Sequence, residues 1–365
     1  MSESVPLSAL LSRALAAFTI ELDNTWESRT PHRTTRFGGP RGAVYATSLV
    51  CWSNFMRAVP EQGVSIAELE RTVRARLPLD GMRRWRYVTI APGPGDQRAR
   101  VPRREWRITP TRAGLGAQSV WRGLPEEIEQ RWTRRFGASA VAGLREDLEA
   151  LVRGLRLTDL PQWLTGHYGG YTGQELEFNR GTPAAAPDEW PLPFSALLSQ
   201  VLQGLALEYE TGSPAPLSYS ANVLRLLGED GIRVSGLPER SGVATPPLRV
   251  ALRILAKRRF IAVGPQPGAG RSRVARLLGR GLVAQGLYRE RPAELEAGWR
   301  RRAGDATLMR LRTNLEAIVT APAGERAPMW QGLEPPRESW RSRVPAPDVL
   351  PDFPMPRQSG HPDGA

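Results

Sequence analysis

The sequence predicts a mainly helical α+β fold in which one order of elements occurs twice. Leu7–Asp23 aligns with Phe194–Glu210, and Gly114–Val152 aligns without gaps with Gly281–Val319 at nearly half identity. Between these anchors, each copy has helical apolar spacing followed by an apolar strand, a turn-rich tip and a second strand. A repeat this long is a duplicated domain and not a solenoid.

The second copy gives the clearer helices. Ser195–Glu210 and Ser220–Leu227 show helical apolar spacing, and 234–242 is a short helix closed by glycine. Thr245 is expected to cap a helix that runs to about Arg259, because prolines in its first turn fit a helix start. Arg249, Arg253 and Lys257 then recur every fourth residue, on a different stripe from the leucines.

A basic hairpin follows that helix. Phe260–Val263 and 274–278 are predicted strands, and the turn-rich tip between them carries Arg271 and Arg273. Helices over 280–303 and 305–319 complete the copy.

The first copy repeats this order with a difference in one helix. Ser48–Arg57 is its predicted second helix, and Ser65 with Glu68 forms a capping box. Val64-Ser65 matches Val234-Ser235 of the second copy. Pro78 is expected to shorten the helix that carries Arg83, Arg84 and Arg86. Predicted strands over 87–90 and 105–108 flank a loop with four arginines, which are Arg98, Arg100, Arg103 and Arg104.

The charge of the chain favours a nucleic-acid partner. The 365 residues carry a formal net charge of +13, and Lys257 is the only lysine. Basic soluble proteins bind nucleic acids because neutralised phosphates release counterions. No apolar stretch is long enough for a membrane helix, and the N-terminus lacks signal-peptide features. The single cysteine, Cys51, allows no intrachain disulfide, which fits a cytoplasmic protein.

The motifs of common enzymes are missing from the sequence. The tip 264–272 departs from the spacing of a phosphate loop and has Arg271 where that loop needs lysine. The three histidines are isolated in loops or tail, and one cysteine cannot build a zinc cluster. We therefore predict no enzyme, no metal site and no cofactor.

Three stretches together resemble the MarR family of bacterial transcription regulators. They are Val234–Arg259, the basic hairpin after it, and Trp106–Gly114, which is similar to the family's entry into a long helix. The resemblance implies two winged helix-turn-helix domains that bind double-stranded DNA, and a repressor as the function. It also implies that terminal helices of the two copies pair as an intramolecular pseudo-dimer, so that the chain is a monomer. Leu278-Gly279 is taken to replace Thr109-Pro110 in the second copy, and one copy is then expected to bind DNA weakly or only to dimerise.

The resemblance also assigns residues and domains. The DNA-binding set is Thr245, Arg249, Arg253, Lys257, Arg258, Arg271 and Arg273 in the second copy, with Arg83, Arg84, Arg86, Arg98, Arg100, Arg103 and Arg104 in the first. A small aromatic or anionic effector is implied, with Trp52, Trp85, Trp121 and Trp132 as pocket residues or, alternatively, core aromatics. The predicted domains are residues 5–153 and 193–320, joined by a linker over 154–192 and followed by a proline-rich tail over 321–365. The tail is expected to be disordered, although Trp330 and Trp340 offer a way to dock it. The alternative function is a non-enzymatic interaction scaffold without sequence-specific DNA binding.

Overall fold

The protein is described by a computed structural model. The described residues are 5–30, 56–73, 79–84, 86–96, 98, 100–160, 192–265, 272–320, 327–338, 342 and 348–355. They form a mainly helical fold with two small antiparallel sheets, as the repeats predict.

The first repeat contains six described helices and three short strands. The helices are α1 (Leu7–Arg29), α2 (Ile66–Val73), α3 (Leu79–Arg84), α4 (Arg112–Arg122), α5 (Leu124–Phe136) and α6 (Ala138–Gly154). The strands are β1 (Val64–Ser65), β2 (Val88–Ala91) and β3 (Arg107–Pro110). The helix predicted to be shortened by Pro78 is described over six residues, Leu79–Arg84, and residues 78 and 85 on either side lie outside the described part of the chain.

The second repeat has the same order of elements from its first short strand through its hairpin, whereas one helix over 279–303 takes the place of α4 and α5. The second helix predicted for the first copy, Ser48–Arg57, lies almost entirely outside the described residues. Its helices are α7 (Phe194–Glu210), α8 (Leu217–Asn222), α9 (Leu237–Ser241), α10 (Thr245–Lys257), α11 (Gly279–Ala303) and α12 (Asp305–Val319). Its strands are β4 (Ile232–Arg233), β5 (Ile261–Pro265) and β6 (Arg273–Leu277). The helix predicted over 220–227 is wrong in its bounds, because α8 ends at Asn222 and a 3-10 turn, Leu224–Leu226, follows.

Both sheets have the same topology. The returning strand of each hairpin lies in the centre, which gives the orders β1-β3-β2 and β4-β6-β5. Val64 pairs with Ile108, and Ile232 pairs with Ala275. Val64 therefore corresponds to Ile232, two residues before the Val234 that the sequence alignment matched to it.

Backbone conformation confirms this corrected register. Gly63 and Gly231, which precede β1 and β4, have φ values of 80° and 76°. Arg86 and Arg259, which precede β2 and β5, share a φ of 60°. An arginine in the left-handed region is uncommon, so its occurrence at matching places marks the same tight turn in both repeats. The helix that follows each hairpin is preceded by Thr111 in one repeat and Leu278 in the other, so Leu278 replaces Thr111 and not Thr109.

The two repeats are packed together by their first and last helices. α1 packs on α7 and α6 packs on α12, and each pair joins corresponding helices. α1 also packs on α12, and α7 packs on α6. The buried side chains of this assembly include Trp132 and its counterpart Trp299, both without exposed surface. We call α1, α5–α7, α11 and α12 the helical body.

Two corresponding arginines tie each repeat to the other. Arg145 donates to Glu129 Oε1 at 2.7 Å and to the carbonyl of Leu192, just before α7, at 2.9 Å. Arg312 donates to Glu296 Oε2 at 2.8 Å and to the carbonyl of Val5, just before α1. Each arginine therefore holds a carboxylate of its own repeat and the start of the other repeat.

The proline-rich tail packs on the body where the structure describes it, in contrast to the disorder that its composition predicts. A 3-10 turn, Pro328–Gly332, lies against α1, and Met329 and Leu333 are buried there. Trp330 is partly buried against the same core, as the docking alternative requires. Residues 348–355 pack further along the molecule, with Phe353 fully buried. Trp340 lies outside the described residues.

Candidate nucleic-acid interface

The second repeat presents a helix with one apolar and one cationic side. Leu248, Leu252 and Leu255 of α10 are 2%, 6% and 1% exposed, so this face is fixed in the core. Arg249, Arg253 and Lys257, the predicted set, are all exposed on the other side. No described residue forms an ion pair with any of the three, so their charges face solvent.

The start of α10 corrects one prediction. Thr245 is the first residue of the helix and half-buried, whereas the capping position belongs to Ala244, which makes no side-chain cap. Prolines in the first turn fit this start because the first helical N–H groups need no partner inside the helix. Thr245 thus lies in the first turn of α10, without the predicted capping role.

A glycine turn sets the direction of α10. α9 ends at Ser241, and Gly242 follows with φ 68°, a conformation that glycine adopts at little cost. The hydroxyl of Ser241 accepts the N–H of Val243 at 3.2 Å. Leu237 and Val243 are buried on either side of this turn, so α9 and α10 are packed as one unit.

More cations surround the end of α10. Arg258 and Arg259 are exposed where the chain turns into β5, and Arg276 is exposed on β6. The guanidinium of Arg280 lies 4.5 Å from the centre of the Phe260 ring and donates to the carbonyl of Arg258 at 3.4 Å. Sequence reasoning missed Arg276 and Arg280. Arg280 belongs to α11, and only the fold brings it to the end of α10. Arg276 lies on the returning strand, and its place in the basic hairpin was the available clue.

The hairpin of the second repeat extends this surface. Pro265 pairs with Arg273 at the end of the ladder nearest the tip, so Arg273 is the first residue of the returning strand. Arg273 is exposed and donates to the carbonyl of Val263 at 3.4 Å. Arg271 lies in the tip, outside the described residues. We call α8–α10 with β4–β6 the second head, and α2, α3 and β1–β3 the first head.

The first head presents a smaller cationic surface. α3 is less than half as long as α10, and Arg83 and Arg86 are exposed at and after its end. The side chain of Arg84 is outside the described part of the chain. Over its described residues α3 has fewer than two turns, and it displays there no three-residue stripe of the kind that α10 carries.

The hairpin of the first head is partly neutralised by its own carboxylates. Arg98 Nη2 lies 2.7 Å from Asp96 Oδ2 and 2.7 Å from Glu105 Oε2. The hydrogen bonds from Arg98 lower the pKa of Asp96, so this carboxylate stays ionised. Arg100, Arg103 and Arg104 are exposed nearby. Arg98, which is predicted to bind DNA, is exposed and takes part in this ion-pair network.

The described tryptophans of the predicted effector pocket are core residues. Trp132 lies among Phe18, Phe136 and Phe194, with ring centres 5.2–5.8 Å apart. Its indole N–H donates to Glu21 Oε2 at 3.2 Å, which satisfies its only polar atom. Trp121 is 4% exposed. Trp52 and Trp85 lie outside the described residues. For Trp121 and Trp132, the structure therefore matches the alternative of core aromatics.

A small pocket lies elsewhere, between the body and the second head. It is lined by Leu7, Leu205, Tyr209, Leu217 and Leu295, with Ser8 and Pro292. Beside it, burial raises the pKa of Glu210 to about 7, and a hydrogen bond from the backbone of Leu217 opposes that shift in part. Within the described part of the chain, no cluster of histidine, cysteine and carboxylate side chains could hold a metal ion.

The comparisons with known proteins add no relative. No protein-family model, curated protein or solved structure matches the chain. Among the helices that the structure describes, none combines the length and apolar character needed to cross a bilayer.

Proposed function

We propose that the chain is a DNA-binding transcription regulator whose two repeats are winged helix-turn-helix domains paired as an intramolecular pseudo-dimer. The observation that carries the proposal is the exposed stripe Arg249, Arg253 and Lys257 on α10, whose opposite face is buried in the core. A helix of this kind fits the major groove, where arginines bind guanine edges and phosphates.

The surroundings of α10 support the same role. α9, the turn at Gly242 and α10 have the order of a helix-turn-helix, and the β5–β6 hairpin has the place of a wing. Arg273 and Arg276 on that hairpin extend the positive surface beyond the helix. Contacts from a wing to phosphates fix the orientation of the helix on the duplex. Such a regulator would act in the cytoplasm, as a repressor where it blocks a promoter.

The two heads are unequal in the proposal. The second head supplies the recognition helix, while the first head, with its short α3 and neutralised Arg98, adds weaker contacts. A pseudo-dimer with unequal heads predicts an asymmetric DNA site. An effector pocket built on Trp121 and Trp132 is not part of the proposal, because both are buried in the body.

The test is a titration of duplex DNA from around the protein's own gene, over a salt series. The triple variant Arg249→Ala, Arg253→Ala, Lys257→Ala should bind at least about 100-fold more weakly, because each lost contact is worth about 1 kcal/mol or more. The slope of log K against log salt should fall by about one for each lost phosphate contact.

A matched control distinguishes the contribution of α10 to DNA affinity from that of the overall positive charge. Arg122→Ala, Arg134→Ala and Arg301→Ala remove the same three charges at exposed sites of α4, α5 and α11. This control should change affinity several-fold less than the α10 variant. Equal losses in both variants would contradict the assignment of α10 as the recognition helix.

The second candidate function is a non-enzymatic interaction scaffold without sequence-specific DNA binding. The charge-compensated hairpin of the first head favours it, because that surface lacks a continuous positive stripe. The scaffold predicts no DNA complex at low salt, or equal affinity for random and upstream duplexes. The regulator predicts tighter binding to at least one upstream duplex than to random DNA at the same salt concentration.

A further inference from the structure

The last described segment of the chain, residues 348–355, contacts both the helical body and the second head. Leu350 and Phe353 are buried in the large core that the body shares with the first head and the start of α8, whereas Met355 is buried in the separate core of the second head. One short segment therefore contributes side chains to both cores. We call it the strap.

The strap is bound to α1 of the body by polar contacts. The hydroxyl of Ser12 donates to the carbonyl of Pro351 at 2.7 Å. Arg13 Nη2 lies 2.8 Å from Asp352 Oδ1, and its Nε donates to the same oxygen at 3.0 Å. Asp352 is only 4% exposed, so this ion pair is shielded from solvent.

The same residues of the strap are bound to the second head. Asp352 Oδ2 lies 2.7 Å from Arg225 Nη2, so one buried carboxylate joins an arginine of the body to an arginine of the head. The side chain of Asn222 donates to the carbonyl of Phe353 at 2.7 Å and accepts its N–H at 3.2 Å. Two opposed hydrogen bonds fix both the position and the direction of the strap on α8.

The strap also touches the turn that directs α10. A Cβ added at Gly242 would lie 2.3 Å from the carbonyl oxygen of Val349 and 2.7 Å from the carbonyl carbon of Leu350. The backbones are therefore in close contact at this point, and any side chain larger than hydrogen would force them apart. Movement of the strap and movement of the α9–α10 turn are mechanically linked.

We propose that the strap fixes the orientation of the second head on the helical body, and that Asp352 is the positioning residue that holds it. A head on a flexible connection loses affinity because its orientation must be fixed on binding. The strap removes that motion before DNA arrives. The consequence for DNA binding rests on the proposed function, but the consequence for motion of the head does not.

The test uses the full chain with Asp352→Asn, which keeps the shape of the side chain but removes its charge. Amide hydrogen exchange should become about tenfold faster in α8–α10, which corresponds to about 1.4 kcal/mol of lost local stability. Exchange in α2 of the first head should not change. Asp352→Glu, which keeps the charge, should restore part of the protection.

Asp348→Asn is the matched control, because Asp348 is exposed at the start of the same segment. It should leave exchange in α8–α10 as in the parent protein. Two results would overturn the proposal. Equally faster exchange in both heads would indicate a general loss of stability, and unchanged exchange in α8–α10 would show that the contacts of Asp352 do not hold the second head.

DNA titration adds a second measurement. Asp352→Asn should lower affinity by about three- to tenfold, without a change in the contacts of α10 itself. If exchange accelerates in the second head and neither protein binds DNA, the strap is supported and the proposed function fails. If exchange accelerates and DNA affinity is unchanged, the orienting role of the strap in DNA binding is refuted.

Discussion

Glu210, at the end of α7, is a buried carboxyl whose protonation depends on the fold. Its Oε1 has no hydrogen-bond partner among the described residues, and burial raises its pKa to about 7 from an ordinary value of 4.5. Between these two values the folded chain holds a proton that the unfolded chain has released. The contribution of Glu210 to the free energy of unfolding is therefore greatest below about pH 4.5, and it is lost as pH rises towards about 7.

We expect Glu210→Gln to remove this dependence. The parent protein should lose about 2 kcal/mol of unfolding free energy between pH 4.5 and 7 relative to the variant, given a shift of this size with an allowance for partial solvation. Urea unfolding of both proteins over that pH range measures the difference. Parallel pH profiles would show that Glu210 is ionised in the folded protein at neutral pH.

Arg98 illustrates the limit of sequence prediction for single residues. The sequence places it in a basic loop, and composition alone groups it with Arg100, Arg103 and Arg104 as a DNA ligand. The hairpin brings Glu105, seven residues away, to the same guanidinium that Asp96 already holds. No local spacing rule predicts that approach, because it depends on how the loop crosses back to β3.

At the scale of elements, most of the fold was predictable because the repeats are aligned by their own sequence. The bounds of the helices over 280–303 and 305–319 differ from α11 and α12 by at most one residue. The strands β4 and β1 were misaligned by two residues, because Val-Ser occurs by coincidence near both. Conformation decides their register, since only glycine fits easily at φ near 80° before each strand.

Gly281 provides a test of how α11 is joined to its hairpin. A Cβ there would lie 2.1 Å from the carbonyl oxygen of Phe260. A Cβ at the corresponding Gly114 would lie at the same distance from the carbonyl oxygen of Tyr87. Gly281→Ala should destabilise the protein by about 1–3 kcal/mol, because the backbone must move apart. Thermal unfolding of the variant measures the loss.

Gly286 is the matched control on the same helix. Apart from its chain neighbours and the backbone of its own helix, no atom of the described residues lies within 4 Å of a Cβ added there, so Gly286→Ala should stabilise the protein by up to about 1 kcal/mol through helix propensity. Stability changes of opposite sign for these two Gly→Ala substitutions on α11 would confirm the close approach of Gly281 to the backbone of Phe260. A loss of stability in both would mean that α11 is crowded along its whole length.

A comparison of the two heads tests their inequality. Arg83→Ala, Arg100→Ala and Arg104→Ala remove three exposed charges from the first head, as the α10 variant does from the second. We expect an affinity loss of about tenfold or less, against about 100-fold or more for α10, because α3 displays no stripe that fits a groove. Similar losses from both heads would indicate a symmetric DNA site and contradict the inequality.

At the scale of the whole molecule, the sequence predicted which helices pair but not what the tail does. The pairing was predictable because the most similar segments of the two copies include α6 and α12, which pack on each other. The tail was predicted to be disordered from its proline content. Three of its apolar residues, Leu350, Phe353 and Met355, are buried because each reaches a core that other elements have already formed.

The packing of α1, α6, α7 and α12 makes a prediction about assembly. The first and last helices of each repeat are covered by those of the other repeat of the same chain, and Arg145 and Arg312 close both ends of that contact. The protein should therefore be a monomer of 40.3 kDa in light scattering and should bind one duplex per chain.

Among the described residues, Leu282 and Val283 of α11 are the most exposed large apolar side chains, at 57% and 59%. A mass twice the expected value that Leu282→Ser reduces to one chain would show that α11, and not the shared helical body, joins two molecules. A doubled mass that persists in Leu282→Ser would instead contradict the monomer prediction. It would mean that the helices of the body pair between two chains and not within one.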